Sequence, residues 1–402
     1  MSTVLRSGWR ETTVRRVLRP LDRPALPGLG VITAYRDGIV TLRSNRREDG
    51  YTFSDTENGY QEIRPGDLVF HALDGFAGAV GVSDSHGIAS PVYHVCEPVV
   101  GDDPGYLARL FRHLGTSGFL ATQAPNVRER SVDFRNWSTF ARIPLMLPPA
   151  DEQRAIADYL DRETARIDTL IEEQQRLIEI LRERRQALVD ASFSALGEPS
   201  VQLRRYIAFL TSGSRGWGDY YADEGQRFLR IGNLPRANLE IRGDIQFVDL
   251  PDDVTEGSRT MLQEGDLLFS ITAYLGSVAV VEGDWVGAYV SQHVALCRLE
   301  RERVDPRFVG WFMLTTTGQD QLNEGAVGGT KVQLALDDIR GLRVPTAPIE
   351  EQRLIAAYLD EQIAQIDTLI AEAERFIDLS RERRAAVITA AVTGQIDVRE
   401  MV

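Results

Sequence analysis

Residues 151–185 read DEQRAIADYLDRETARIDTLIEEQQRLIEILRERR, and residues 350–384 read EEQRLIAAYLDEQIAQIDTLIAEAERFIDLSRERR. The two stretches match block by block, each block returning 199 residues later. Glu152-Gln153-Arg154 returns as Glu351-Gln352-Arg353, and Tyr159-Leu160-Asp161 as Tyr358-Leu359-Asp360. Ile167-Asp168-Thr169-Leu170-Ile171 returns at 366–370, and Arg182-Glu183-Arg184-Arg185 at 381–384. Four blocks at one spacing mark an internal repeat, which has to be read before any single element is assigned.

Both copies have the pattern of long helices. Ile156, Leu160, Glu163, Ile167, Leu170, Gln174, Leu177, Leu181 and Leu188 follow steps of three and four, interrupted at Arg184. Ile355, Leu359, Gln362, Ile366, Leu369, Ala373, Phe376, Ser380 and Val387 keep the same register in the second copy. A period of 3.5 keeps one stripe of side chains facing a partner helix, as a coiled coil requires. A helix over 163–195 would span roughly 50 Å at 1.5 Å per residue. Pro148-Pro149 and Pro348 precede the copies, and Asp151-Glu152 and Glu350-Glu351 open them. Proline and carboxylates both suit the positive end of a helix dipole. The expectation is that the two stripes bury against each other within one chain; the alternative is homodimerisation through either copy. The seam and docking residues are expected to be Ile156, Leu160, Ile167, Leu170, Leu177, Leu181, Ile355, Leu359, Ile366, Leu369 and Phe376.

Outward from the helices lie two globular segments, 1–141 and 198–342. In the first, residues 30–35 and 38–42 are short β-rich runs joined by Asp37-Gly38, a strong hairpin signal. Arg64-Pro65-Gly66-Asp67 is a turn feeding a strand, and Leu262-Gln263-Glu264-Gly265-Asp266 repeats it 199 residues on. Ser90 to Cys96 aligns with Ser291 to Cys297, and Asp103-Pro104 with Asp305-Pro306. The globular parts are therefore also repeated, but diverged. The fold class read from this is α+β: two mixed globular domains separated by two long antiparallel coiled-coil helical regions, with an internal pseudo-twofold repeat. The domain bounds are 1–141, 142–197, 198–342 and 343–402.

Composition excludes several classes. No run of about 18 apolar residues exists, and the first 16 residues lack an apolar signal core, so a cytoplasmic, non-membrane chain is expected. Cys96 and Cys297 are the only cysteines, with no CxxC spacing, which fits a reducing compartment. Lys331 is the only lysine and follows Thr330, so there is no phosphate-loop GK[ST] and no Glu-x-Lys nuclease motif. No HExxH occurs, and His71, His86, His94, His113 and His293 are not at ligand spacing. No catalytic constellation emerges. The net charge of −14 argues against nucleic acid at face value, yet residues 1–141 are net neutral. Whole-chain charge governs steering and does not decide whether a local groove is positive.

Two unlike globular parts alternating with two similar helices resemble the specificity subunits of type I restriction-modification systems. The resemblance covers the whole length. It is carried by residues 143–154 and 344–353, each a proline segment running into Glu-Gln-Arg, by the Ile-Asp-Thr-Leu-Ile blocks, and by Val392-Thr393-Gly394-Gln395-Ile396. Thr211-Ser212-Gly213-Ser214-Arg215-Gly216-Trp217, Arg230-Ile231-Gly232-Asn233-Leu234 and Gly328-Gly329-Thr330-Lys331 look like target-recognition segments. The first globular part has no counterpart of the Trp217 loop. The resemblance implies two target recognition domains reading the halves of an asymmetric bipartite site in double-stranded DNA. It implies helical spacers that fix the separation and dock two methylation subunits, with restriction subunits joining them. S-adenosylmethionine, ATP and Mg would sit on those partners, and this chain would bind no cofactor or metal and be non-catalytic. A structural adaptor whose globular parts bind proteins is the alternative.

Arginine serves both phosphate and guanine contacts, and asparagine suits adenine. The expected contact residues are Arg36, Arg43, Asn45, Arg46 and Arg47 in the first domain. In the second they are Ser214, Arg215, Trp217, Tyr220, Arg230, Asn233 and Lys331. For Trp217 and Tyr220 a place in the core is an equal expectation.

Overall fold

The structure, a computed structural model, describes residues 8–46, 59–99, 101–124, 127–128, 131–251, 256–324 and 333–400. The chain divides into two units, residues 1–173 with 376–402 and residues 174–375.

The first unit is organised on strands β1 (Leu18–Pro20), β2 (Leu68–His71), β3 (Val80–Val82) and β4 (Tyr93–Pro98), in the spatial order β1-β4-β2-β3 and all antiparallel. Gly66, at φ 93°, turns the chain into β2, and the Asp67 carboxylate accepts the Arg64 N–H at 2.7 Å. The hairpin foreseen at Asp37-Gly38 pairs Ile32–Ala34 with Val40–Leu42. Helix α1 (Pro104–Thr116) starts where Asp103 accepts the Tyr106 N–H at 2.8 Å, with proline at its first position. Its buried face, Tyr106, Leu107, Leu110 and Phe111, recurs at helical spacing. Phe70, Phe111, Phe134 and Phe140 meet in the core, with the Phe70 and Phe140 rings 4.4 Å apart. Ile156 and Leu160, in the first turns of helix α2 (Ala150–Ser194), join the same core, as do Ala391 and Val392 near the chain's end.

The second unit contains strands β5 (Ile207–Ser212), β6 (Leu267–Ser270), β7 (Val278–Val280) and β8 (Val294–Leu299), ordered β5-β8-β6-β7. That is the same order as in the first unit. Gly265, at φ 78°, and Asp266, which accepts the Gln263 N–H at 2.7 Å, repeat the entry turn. Asp305 caps helix α3 (Pro306–Met313) as Asp103 caps α1. Cys96 faces Leu68, and Cys297 faces Leu267, on matched strands. Both thiols are fully buried, and burial pushes Cys297 up to about 12, so neither is a ready nucleophile.

The repeated blocks act as fasteners. Gln153 is fully buried; its Nε2 donates to Asp102 Oδ1 at 2.7 Å and to the Pro148 carbonyl at 3.0 Å, and its Oε1 accepts the Asp103 N–H at 2.9 Å. Gln352, near the start of helix α4 (Ile349–Val392), accepts the Asp305 N–H at 2.9 Å and donates to the Ala347 carbonyl at 2.8 Å. Each glutamine therefore ties a long helix to the cap of the neighbouring short one. The aspartates of the Tyr-Leu-Asp blocks do similar work. Asp161 pairs with Arg109 of α1, and Asp360 accepts from Arg307 Nε and Nη2, each at 2.6 Å, and from Trp311 Nε1 at 2.7 Å. The Ile-Asp-Thr blocks meet the Arg-Glu-Arg-Arg blocks. Arg384 pairs with Asp168 at 2.9 Å in the first unit, and Arg185 pairs with Asp367 at 2.7 Å in the second.

Burial along the helices corrects half of the expected seam. Between Ile349 and Ser380 the buried positions of α4 are Gln352, Ala356, Leu359, Ile363, Ile366, Ile370, Ala373, Ile377 and Ser380. In α2, Gln153, Ile156, Ala157, Leu160, Ile167, Ile178 and Leu181 are buried. Of the expected seam residues, Ile156, Leu160, Ile167, Leu181, Leu359 and Ile366 are buried. Leu177, Leu369 and Phe376 are 41–48% exposed, and Ile355 and Leu170 are only half-buried. The reason is local. Apolar residues come as adjacent pairs, Leu170-Ile171, Leu177-Ile178, Leu369-Ile370 and Phe376-Ile377, so steps of three-four and four-three fit the sequence equally well. A 3.5-residue repeat cannot choose between them.

Candidate nucleic-acid interface

In the first unit the expected contact residues gather on one hairpin. Arg36 lies at its turn and pairs with Asp74 at 3.0 Å. Arg46 pairs with Asp37 at 2.6 Å and lies over the Tyr35 ring, 4.6 Å from its centroid. Arg43 and Asn45 form the single 3₁₀ turn that follows the second strand, where Asn45 Nδ2 donates to Thr41 Oγ1 at 2.9 Å. The Arg36 and Arg46 pairs are solvent-exposed and worth little as salt bridges, so a phosphate can replace either carboxylate at small cost. Arg112 of α1, which sequence reasoning passed over, donates from Nε to the Arg36 carbonyl at 3.4 Å. Burial, and secondarily the nearby Arg384, lower its pKa. Only its place on a helix face hid it. Arg47 lies outside the described residues.

The second unit treats its expected residues differently. Gly213 must be glycine: a Cβ there would stand 2.0 Å from the Val290 carbonyl oxygen. Gly216 has φ 86°, and Arg215 between them is exposed. Trp217 is 5% exposed and packs between Phe228 and Tyr289, with ring centroids 5.1 and 5.0 Å away. Tyr220 packs on the same cluster. The core expectation describes both, and a wedge role for Trp217 would need it to leave this stack. Asn233 is buried; it accepts the Arg230 N–H at 2.9 Å and donates to the carbonyls of Arg242 and Asp244 at 2.9 and 3.0 Å. Its amide is spent inside the fold, and the Arg230 side chain of that segment is partly open. Ser214 bridges to Ser291, and both hydroxyls, buried, find no hydrogen-bond partner among the described residues. Lys331 lies outside the described residues.

Among the described residues, no group of three His, Cys, Asp or Glu is placed to hold a metal ion. No described helix is long and apolar enough to cross a membrane.

Residues 242–375 match the family described as the type I restriction modification DNA specificity domain. Over most of its length the chain is similar to type I restriction-modification specificity subunits. Over 394 residues it is 22% identical to the EcoBI specificity subunit of Escherichia coli, covering 90% of this chain and 81% of that one. The EcoKI specificity subunit of Escherichia coli strain K12 is 24% identical over 367 residues, 84% of this chain and 76% of that one. The fold is shared with two solved chains. One, from a type I R-M system studied for its complex assembly and conformational transition, gives a TM-score of 0.69 at 17% identity, covering 97% of this chain and 99% of that one. The HsdS subunit of Thermoanaerobacter tengcongensis gives 0.58 at 18% identity, covering 98% of this chain and 99% of that one. The matched domain contains Asn233's acceptor Arg242, the entry turn at Gly265 and all of β6 to β8.

Proposed function

We propose that this specificity subunit reads an asymmetric bipartite sequence in double-stranded DNA for a type I restriction-modification complex and performs no chemistry itself. The observation that carries the reading is the DNA specificity domain at 242–375, set in a fold shared end to end with solved relatives. Residues 1–141 and 198–342 are the two target recognition domains, and 142–197 and 343–402 are the spacers. The diverged loops favour unlike half-sites. The spacers form an antiparallel coiled coil of pseudo-twofold design. Supporting this, in the first unit Arg384 meets Asp168 and Arg399 meets Glu152, and in the second Arg185 meets Asp367 and Arg182 meets Glu374. Within the second unit the two helical segments therefore run in opposite directions.

Two methylation subunits holding S-adenosylmethionine act on adenine. Restriction subunits supply ATP- and Mg-dependent cleavage in the cytoplasm, and this chain carries neither cofactor nor metal. The exposed Leu369, Tyr358 and Leu354 leave apolar surface on α4 for such partners. Arg36, Arg43, Asn45, Arg46 and Arg112 position one half-site, and Arg215 and Arg230 the other. The test is a map of methylated adenines in cells carrying the complex, before and after residues 201–342 are exchanged for those of a relative. One half of the methylated sequence should change and the other stay. Methylation without sequence preference, or an unchanged motif after the exchange, refutes the reading.

A further inference from the structure

Tyr274 is the one described non-glycine residue with a positive φ, 64°, and it is 61% exposed. It sits in the turn between β6 and β7. That conformation is costly for a side chain bearing a Cβ and persists only where the surroundings impose it. Here they do. The buried Ser270 hydroxyl donates to the Tyr274 carbonyl at 2.6 Å and accepts the Ser277 N–H at 3.2 Å. Gln319 Nε2 donates to the Gly276 carbonyl at 2.9 Å, closing the turn from the other side. A large aromatic is thus held out into solvent by a rigid base, with the Arg236 guanidinium 5.2 Å from its ring centroid.

A second turn lies alongside. Ile271 N–H donates to the His293 carbonyl at 3.0 Å, and Thr272 Oγ1 meets His293 Nδ1 at 3.1 Å. His293 Nε2 in turn meets Gln292 Nε2 at 3.0 Å, so the Gln292 amide stands at the rim. Behind it is Ser291, whose buried hydroxyl, like that of Ser214, meets no partner among the described residues. Buried hydroxyls without partners cost free energy unless something else meets them.

The geometry points to a base-reading edge built from Tyr274 and Gln292, which contacts base edges of the half-site read by the second unit. This rests on the specificity-subunit reading above. A glutamine amide can bond an adenine edge in the major groove at two points, and a rigid aromatic can pack on a thymine methyl or against a base step. The equivalent turn of the first unit, between β2 and β3, offers Asp74 paired with Arg36 where this one offers Tyr274 beneath Arg236. The two edges present different chemistry, as unlike half-sites require.

The test uses the chain assembled with its methylation subunits. The wild-type complex first selects its site from a random duplex library, and variants are then assayed on that site. Tyr274→Gly relieves the backbone strain, so its thermal midpoint holds or rises while affinity for the selected site falls roughly tenfold. Gln292→Ala keeps its midpoint and loses preference at a single base position, again roughly tenfold. Affinity and base preference within twofold of wild type in both variants overturn the inference. So does an affinity loss that tracks a fall in thermal midpoint, because that assigns these residues to the fold alone. A wild-type complex that selects no site overturns the specificity-subunit reading instead.

Discussion

Replacing Gln153 with alanine isolates the part played by the repeated Glu-Gln-Arg block. The side chain is fully buried and makes three hydrogen bonds, to Asp102, to the Pro148 carbonyl and from the Asp103 N–H. Its removal orphans three polar groups. Asp102, also buried, keeps Arg10, whose Nη2 lies 2.5 and 2.7 Å from its two oxygens, so its loss is the smallest of the three. An orphaned buried group costs about 1–3 kcal/mol, and the cavity left by the amide adds to that. Water entering the cavity restores part of the loss, so the expected destabilisation is about 3–4 kcal/mol, near the upper end for a single substitution. The two units need not unfold together. The assay is therefore hydrogen exchange in peptides of the first unit, followed through a urea series. Gln352→Ala breaks only two such bonds, so exchange in the second unit should report about 2–3 kcal/mol. A loss below about 1 kcal/mol for Gln153→Ala, or a larger loss for Gln352→Ala, refutes the idea that these glutamines fasten helix to cap.

The seam correction makes a paired prediction. Ile178→Ala and Ile370→Ala should each cost about 2–4 kcal/mol in urea unfolding, whereas Leu177→Gln and Leu369→Gln should each fall within about 0.5 kcal/mol; the reverse ranking restores the other register. Burial holds the pKa values of His71, His94 and His113 below the usual 6.5. These rings are neutral in the fold and bind protons on unfolding below that pH, so the first unit should lose stability as pH falls from about 6.5 through the lowered values. Urea midpoints at pH 7.5 and 5.5 check this, and a rise toward pH 5.5 contradicts it. Arg36→Ala and Arg46→Ala in the assembled complex should each flatten the salt dependence of DNA binding by about one phosphate contact, with no change in the selected sequence. Unchanged salt slopes remove both residues from the interface.

The sequence by itself determined the duplication, the two long helices, the hairpin at Asp37-Gly38, the matched entry turns and the matched cysteines. These signals are local in the chain: periodicity, turn chemistry and repetition at a fixed spacing. The arginine cluster on the first hairpin was legible for the same reason, since a run of charge on a turn has nowhere to go but outward. Tertiary structure decided the rest. Which member of Leu177-Ile178 or Phe376-Ile377 is buried depends on a few tens of degrees of helix rotation, set by packing and not by composition. Trp217 and Asn233 looked like contact residues because of their type, and went inside because neighbouring strands supplied a stacking slot and a neighbouring loop two carbonyls. Gln153 looked like a marker of the repeat and proved to be a clamp, because Asp102 and Asp103 lie about 50 residues away in the chain. Tyr274 gave no signal at all. Its backbone angle is held by Ser270 and Ser277 within the turn and by Gln319 at the neighbouring Gly276, a contact written in the fold alone.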